Sequence, residues 1–313
     1  SVHDLSSLIE VSHSKVDVDL GFSKAMLQAV DQDPTVLAAK NEAAASKANL
    51  RYTKTGADTQ YDATVLAGIE DITDETVGVA AVLTAKRVLY DGGLLDAKID
   101  VDTYLSRAAD HYYLTVRDAR ALKLAHAWID LELYQSLTEL INSRLGVLDP
   151  LLEQLERVTT AGVGDVSQVA SAERVVSLIL IAETDVSAKY QQAKTAFIND
   201  FGSLPDNARY DASWVSAAVP KSTTSALVEG SPGLLAKYWA YRSAEASVMT
   251  VQAQDDIRIG FEVKLQRPFG GSDANSDESV GFVITKDLYQ GDKLASQLSR
   301  VDAIAKSKAA EVS

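Results

Sequence analysis

A five-residue phrase occurs twice in this chain and limits what it can fold into. Leu89-Tyr90-Asp91-Gly92-Gly93 returns, degraded, as Leu288-Tyr289-Gln290-Gly291-Asp292, and the apolar Leu95 is answered by Leu294. The offset is about 199 positions, and self-similarity at a fixed offset marks a duplicated unit. Asp33-Pro34-Thr35-Val36-Leu37-Ala38 is echoed in the same way by Ser231-Pro232-Gly233-Leu234-Leu235-Ala236. Each copy is therefore expected to run helix, strand, strand, helix. The 313 residues then form one architecture of two repeats, about 21–201 and 222–313.

From Tyr61 to Lys86 in the first copy the apolar period is 2. Tyr61, Ala63, Val65, Ala67 and Ile69 alternate with Asp62, Thr64, Leu66, Gly68 and Glu70. After a polar turn at 73–76, Val77, Val79, Ala81, Leu83 and Ala85 alternate with Gly78, Ala80, Val82, Thr84 and Lys86. This is a β-hairpin with one continuous apolar face. In the second copy Ile257, Ile259, Phe261, Val263 and Leu265 alternate with Arg258, Gly260, Glu262, Lys264 and Gln266, and Val280, Phe282 and Ile284 return. The hairpins are expected at 58–90 and 251–289. Each apolar face spans about 9 to 11 residues, the length with which a tilted strand crosses a bilayer. A half-buried sheet in water satisfies the same alternation. If the apolar faces meet lipid, Asp62, Glu70, Lys86, Arg258, Glu262 and Lys264 face a lumen, and Val65, Leu83, Ile259 and Phe261 face the lipid.

The rest of the chain is helical, at 22–56, 94–201, 232–250 and 293–313. Asp33 is placed to cap a helix that begins at Pro34. From Leu94 to about Thr160 apolar residues recur at three and four, a helix of roughly 100 Å at 1.5 Å per residue. Pro150 predicts a kink or a short break one turn upstream. Gly162-Val163-Gly164 makes a turn, Asp165 or Ser167 caps the returning helix, and the pair reads as a coiled-coil hairpin. Residues 202–231, with Pro205 and Pro220, form a polar linker.

Composition removes several function classes. A net charge of -14 argues against nucleic acid as a partner. The absence of cysteine removes disulfides, thiolate metal sites and cysteine catalysis. His3, His13, His111 and His126 show no metal spacing and no triad, so neither a catalytic site nor a cofactor is expected. Gly162-Val163-Gly164 follows a helix and lacks the lysine of a phosphate loop. Asp273-Ala274-Asn275-Ser276-Asp277 opens like a calcium loop, but Glu278 and Ile284 stand where glycine and glutamate are needed, so it reads as a surface loop. The N-terminus, Ser1-Val2-His3-Asp4, carries no export signal, so an exported protein would be seen here in mature form.

In their order and spacing, the proline starts at Pro34 and Pro232, the strand exits at Leu89 to Gly93 and Leu288 to Gly291, and the turn Ala161-Gly162-Val163-Gly164-Asp165 resemble the outer membrane efflux protein (TolC-like) family. The likeness runs from about Gly21 onward. The family carries a second long helical hairpin, which this chain is expected to lack, so the family's gating residues are not carried over.

The resemblance implies a mixed α and β fold with long antiparallel helical hairpins and two β-hairpins. Three subunits would close a 12-stranded transmembrane β-barrel continuous with a helical tunnel. It implies a passive exit duct in the bacterial outer membrane, reaching into the periplasm and serving efflux or type I secretion. The partners would be a homotrimer, a periplasmic adaptor, an inner-membrane pump and outer membrane lipid. Gly162, Val163, Gly164 and Asp165 would form the periplasmic tip that docks the adaptor. The competing class is a soluble periplasmic coiled-coil adaptor or structural interaction protein, which needs no lipid-length strands.

Overall fold

The computed structural model describes residues 16–71, 76–163, 165–206, 208–209, 228–269, 276–288 and 291–312, the side chains at 68–71 and 76–78 excepted. It contains six long helices and four strands among these residues: α1 (Phe22–Gln32), α2 (Pro34–Lys54), β1 (Gln60–Asp71), β2 (Thr76–Tyr90), α3 (Leu94–Thr160), α4 (Val166–Phe201), α5 (Pro232–Ala253), β3 (Arg258–Pro268), β4 (Asp277–Thr285) and α6 (Lys293–Ala310). The fold is mixed α and β, with long helices and antiparallel hairpins. None of the described helices is long and apolar enough to cross a membrane. The second hairpin starts later than its alternation suggests: α5 continues to Ala253, and Ile257 precedes the strand.

Of the kink or short break expected at Pro150 the break is absent, since α3 runs through it. Proline deprives the carbonyl four residues back of its helical donor. That residue is Gly146, which is exposed, so its carbonyl is open to solvent rather than buried without a donor.

Two compact units divide the chain. One takes the described residues of Ala39–Thr115 and Thr223–Ser313. It holds a four-stranded sheet in the order β1-β2-β3-β4, antiparallel throughout. Beside it, α2 lies antiparallel to the first part of α3, through Lys47 to Asp110 at 2.7 Å and Thr53 to Asp102 at 2.5 Å. Along α5, Trp239 stacks on Tyr104 with centroids 5.7 Å apart, and the Ser243 hydroxyl donates to the Val101 carbonyl at 3.2 Å.

The repeated phrase turns β2 into α3 within this unit. Asp91 accepts hydrogen bonds from the N–H groups of Gly93 (3.1 Å) and Leu95 (2.7 Å), which satisfies donors that a helix start leaves open. Gly92 has φ +69°, and a Cβ built there would lie 2.3 Å from the Asp256 Cβ. Gly93 has φ +81° with open space around it. Gly92→Ala should therefore lower the unfolding midpoint further than Gly93→Ala. The latter meets only the left-handed backbone penalty of about 1–2 kcal/mol. Equal midpoint shifts in thermal melts would show that the Asp256 approach carries no weight.

The other unit takes the described residues of Ser1–Ala38 and Val116–Ser222. Its core is aromatic. Trp128, 1% exposed, meets Phe22, Phe197 and Phe201 edge-on at 5.1–5.6 Å, and Phe197 stacks on Phe201 at 4.3 Å. Trp128→Ala should cost about 3–5 kcal/mol, the range for deleting a buried aromatic ring, as read by denaturant unfolding.

Beside this core Arg120 lies 2.6 Å from Asp33 and 2.8 Å from Asp200, its side chain 16% exposed and theirs 10%. Asp33 also caps α2 through the N–H of Thr35 at 2.9 Å. Burial pushes the Asp33 carboxyl upward, but the Thr35 hydroxyl, Arg120 and the N–H groups of Val36 and Thr35 outweigh it and hold the carboxyl below its ordinary value. A depressed folded-state pKa gives stability that is present above the unfolded value and lost as pH falls through the folded one. Acid should therefore lower the melting temperature below about pH 4, where a free Asp side chain protonates. Asp33→Asn should flatten that dependence, as read by melts between neutral pH and pH 3.

Candidate membrane face and docking tip

The strand register sorts side chains onto two faces. On one, Tyr61 pairs with Ala85, Ala63 with Leu83 and Val65 with Ala81. Leu83 then pairs with Leu265, Ala85 with Val263 and Arg87 with Phe261, and these rows end in Glu278, Val280 and Phe282 of β4. Among the described residues no element covers this face: Val65 is 70% exposed, Leu83 55%, Phe282 70% and Ile284 69%. Ile259 pairs with Ile284, so it belongs to the same face, as does Phe261. The four residues named for lipid therefore share one surface.

The opposite face is polar. Asp62 pairs with Thr84, and Thr84 with Lys264. Lys86 pairs with Glu262 and makes an ion pair of 3.5 Å, while Arg258 reaches Asp287 at 3.4 Å. Asp62, Lys86, Arg258, Glu262 and Lys264 thus lie together, and the side chain of Glu70 is outside those described. Ala80 and Val82 on this face are only 4% and 7% exposed.

Both outer edges of the sheet are open. Among the described residues β1 pairs only with β2, and β4 only with β3. An exposed edge presents unpaired N–H and C=O groups, which water can satisfy but hydrocarbon cannot.

The turn between α3 and α4 is a tight reversal. The Val163 N–H donates to the Val158 carbonyl at 3.2 Å and the Gly162 N–H to that of Thr159 at 3.0 Å. Those two bonds close the helix with a left-handed residue at Gly162, φ +76°. Asp165 rather than Ser167 is the cap of α4, accepting from the Ser167 N–H at 2.9 Å. That N–H, with the Ser167 hydroxyl, holds the Asp165 carboxyl below its ordinary value. Val163 is 82% and Val166 72% exposed, so the tip presents apolar side chains that nothing in the chain covers among the described residues. Gly164 lies outside them.

No family model matches the sequence, and no curated protein does either. Solved structures do match. The outer membrane protein VceC of Vibrio cholerae aligns with TM-score 0.72 at 18% identity, over 92% of this chain and 73% of that one. CusC, described in terms of transmembrane channel formation, aligns at 0.74 and 14% over 95% and 72%. The open state of the MtrE outer membrane channel of Neisseria gonorrhoeae aligns at 0.70 and 12% over 92% and 68%. The chain has the fold of the TolC-like outer membrane channels.

The alternation assigns faces only as far as Lys86, within a hairpin expected to reach residue 90; β2 runs to Tyr90, with a bulge between Val88 and Tyr90. Arg87 and Tyr90 are thereby added to the apolar face, the first opposite Phe261 and the second opposite Ile259. Continuing the parity of Val77 to Ala85 by one step finds Arg87. The bulge hides Tyr90, because it shifts the period. Of the expected surface loop, Asp273, Ala274 and Asn275 lie outside the described residues and Asp277 opens β4; no cluster of three or more histidine, aspartate or glutamate residues among the described ones is placed to hold a metal.

Proposed function

We propose that this chain is a passive exit duct of the bacterial outer membrane, part of a tripartite efflux or type I secretion system. The observation that carries this reading is a four-stranded sheet with one bare apolar face, one charged face and two open edges. In hydrocarbon such a sheet is stable only if its edges are paired by other copies. Three copies give twelve strands, with Asp62, Glu70, Lys86, Arg258, Glu262 and Lys264 towards a lumen and Val65, Leu83, Ile259 and Phe261 towards lipid. The strands hold 9 to 15 residues, enough to cross a bilayer at a tilt. The helices would extend the duct into the periplasm, and Gly162, Val163, Gly164 and Asp165 would meet a periplasmic adaptor coupled to an inner-membrane pump. The chain itself would do no chemistry.

Reconstitution into planar bilayers tests the reading. The expected result is discrete conductance steps from protein that needs detergent to stay dispersed. A protein that stays monodisperse without detergent and conducts nothing would instead fit the soluble adaptor class.

A further inference from the structure

Among the described side chains the apolar face of the sheet carries three charges: Arg87 on β2, Arg267 on β3 and Glu278 on β4. Arg267 and Glu278 are paired with each other. Arg87 is exposed and has no ion-pair or hydrogen-bond partner among the described residues. It sits opposite Phe261, in the row that continues to Phe282. Tyr61 lies diagonally across on β1, and the next row towards the helices holds Tyr90, Ile259 and Ile284. Both tyrosines are exposed.

A lone cation on a surface that meets hydrocarbon is costly unless it reaches an anion at the boundary. Arg87 lies three residues from the helix-side end of β2, so its long side chain can extend to that boundary. The anion that a bilayer offers there is a lipid phosphate, which a planar guanidinium binds in a two-pronged fashion. Tyrosine rings belong at the same level, apolar in body and polar at the tip. Net repulsion by a chain of charge -14 makes general attraction to anionic lipid weak, so retention of one must be local.

We propose that Arg87, flanked by Tyr61 and Tyr90, binds the headgroup phosphate of an anionic phospholipid in the leaflet next to the helices. The inference rests on the channel reading, since it needs the apolar face to lie against lipid. Native mass spectrometry of the detergent-solubilised protein, titrated with phosphatidylglycerol, reads it directly. Wild type should retain phosphatidylglycerol, and Arg87→Gln should weaken retention at least five-fold. Arg87→Lys should restore part of it, and Arg267→Gln, on the same face, should leave it unchanged. Equal retention by wild type and Arg87→Gln, or equal loss in Arg267→Gln, would overturn the proposal. So would inorganic phosphate competing at the same concentration as the lipid, because the site would then recognise a free anion. Bilayer conductance of the same preparations separates the two readings. Arg87-dependent retention without conductance would count against the duct alone, and conductance with retention indifferent to Arg87 would count against the lipid site alone.

Discussion

Leu83→Arg should abolish membrane assembly, while Thr285→Arg should leave it close to wild type. Leu83 stands in the middle of the bare apolar face, with Ala63 on one side and Leu265 on the other. Arginine at the bilayer midplane of a β-barrel costs about 2–4 kcal/mol, and three copies in a trimer would bear it together. Thr285 pairs with Arg258 on the charged face, where an added cation meets water. Val65→Arg should behave like Leu83→Arg, and Thr64→Arg like Thr285→Arg. Heat-resistant oligomer in membrane fractions is the measurement. Assembly that tolerates Leu83→Arg and fails with Thr285→Arg would reverse the assignment of the two faces.

Val163→Asp should eliminate adaptor cross-linking and export while leaving oligomer content unchanged. None of the residues paired in the sheet belongs to the tip, and Val163 is 82% exposed. Val163 is the most exposed apolar side chain of the turn and contributes no core contact whose loss would unfold the chain. Replacing it by a carboxylate puts an unpaired charge into any apolar docking surface, which costs several kcal/mol. Gly162→Val separates docking from turn formation. It forces a β-branched residue into φ +76°, and should lower both the stability of the hairpin and docking. Normal cross-linking and export by Val163→Asp would remove the tip from the docking surface.

The strands and helices were legible because period is a local property. Val77 to Ala85 and Ile259 to Leu265 each spell out one face, and Asp33-Pro34 and Gly162 mark their helix ends. Of the kink or break expected at Pro150 the break is absent, because the carbonyl that proline deprives of its donor belongs to Gly146, which is exposed to solvent. The Asp33–Arg120–Asp200 cluster left no trace in sequence, since its members stand far apart in the chain and nothing in their spacing joins them. The same holds for Trp128 with Phe197 and Phe201. At the site, both faces of the sheet were legible from alternation. Arg87 was not, because the alternation was closed one residue before it.

Closure of the sheet by other copies is the central claim, and the absence of cysteine allows it to be tested cleanly. Within one sheet β1 and β4 are three strand spacings apart, about 14 Å, too far for a disulfide. Cysteine at Ala63 on β1, combined in turn with cysteine at Val280, Phe282 or Ile284 on β4, can therefore bridge only between copies. All four positions share the apolar face, so the three combinations sample successive registers between neighbouring copies. The expected result is an oxidised product that runs as a covalent trimer under denaturing conditions and returns to monomer on reduction. Monomer from all three combinations, in protein shown to be folded, would contradict the account.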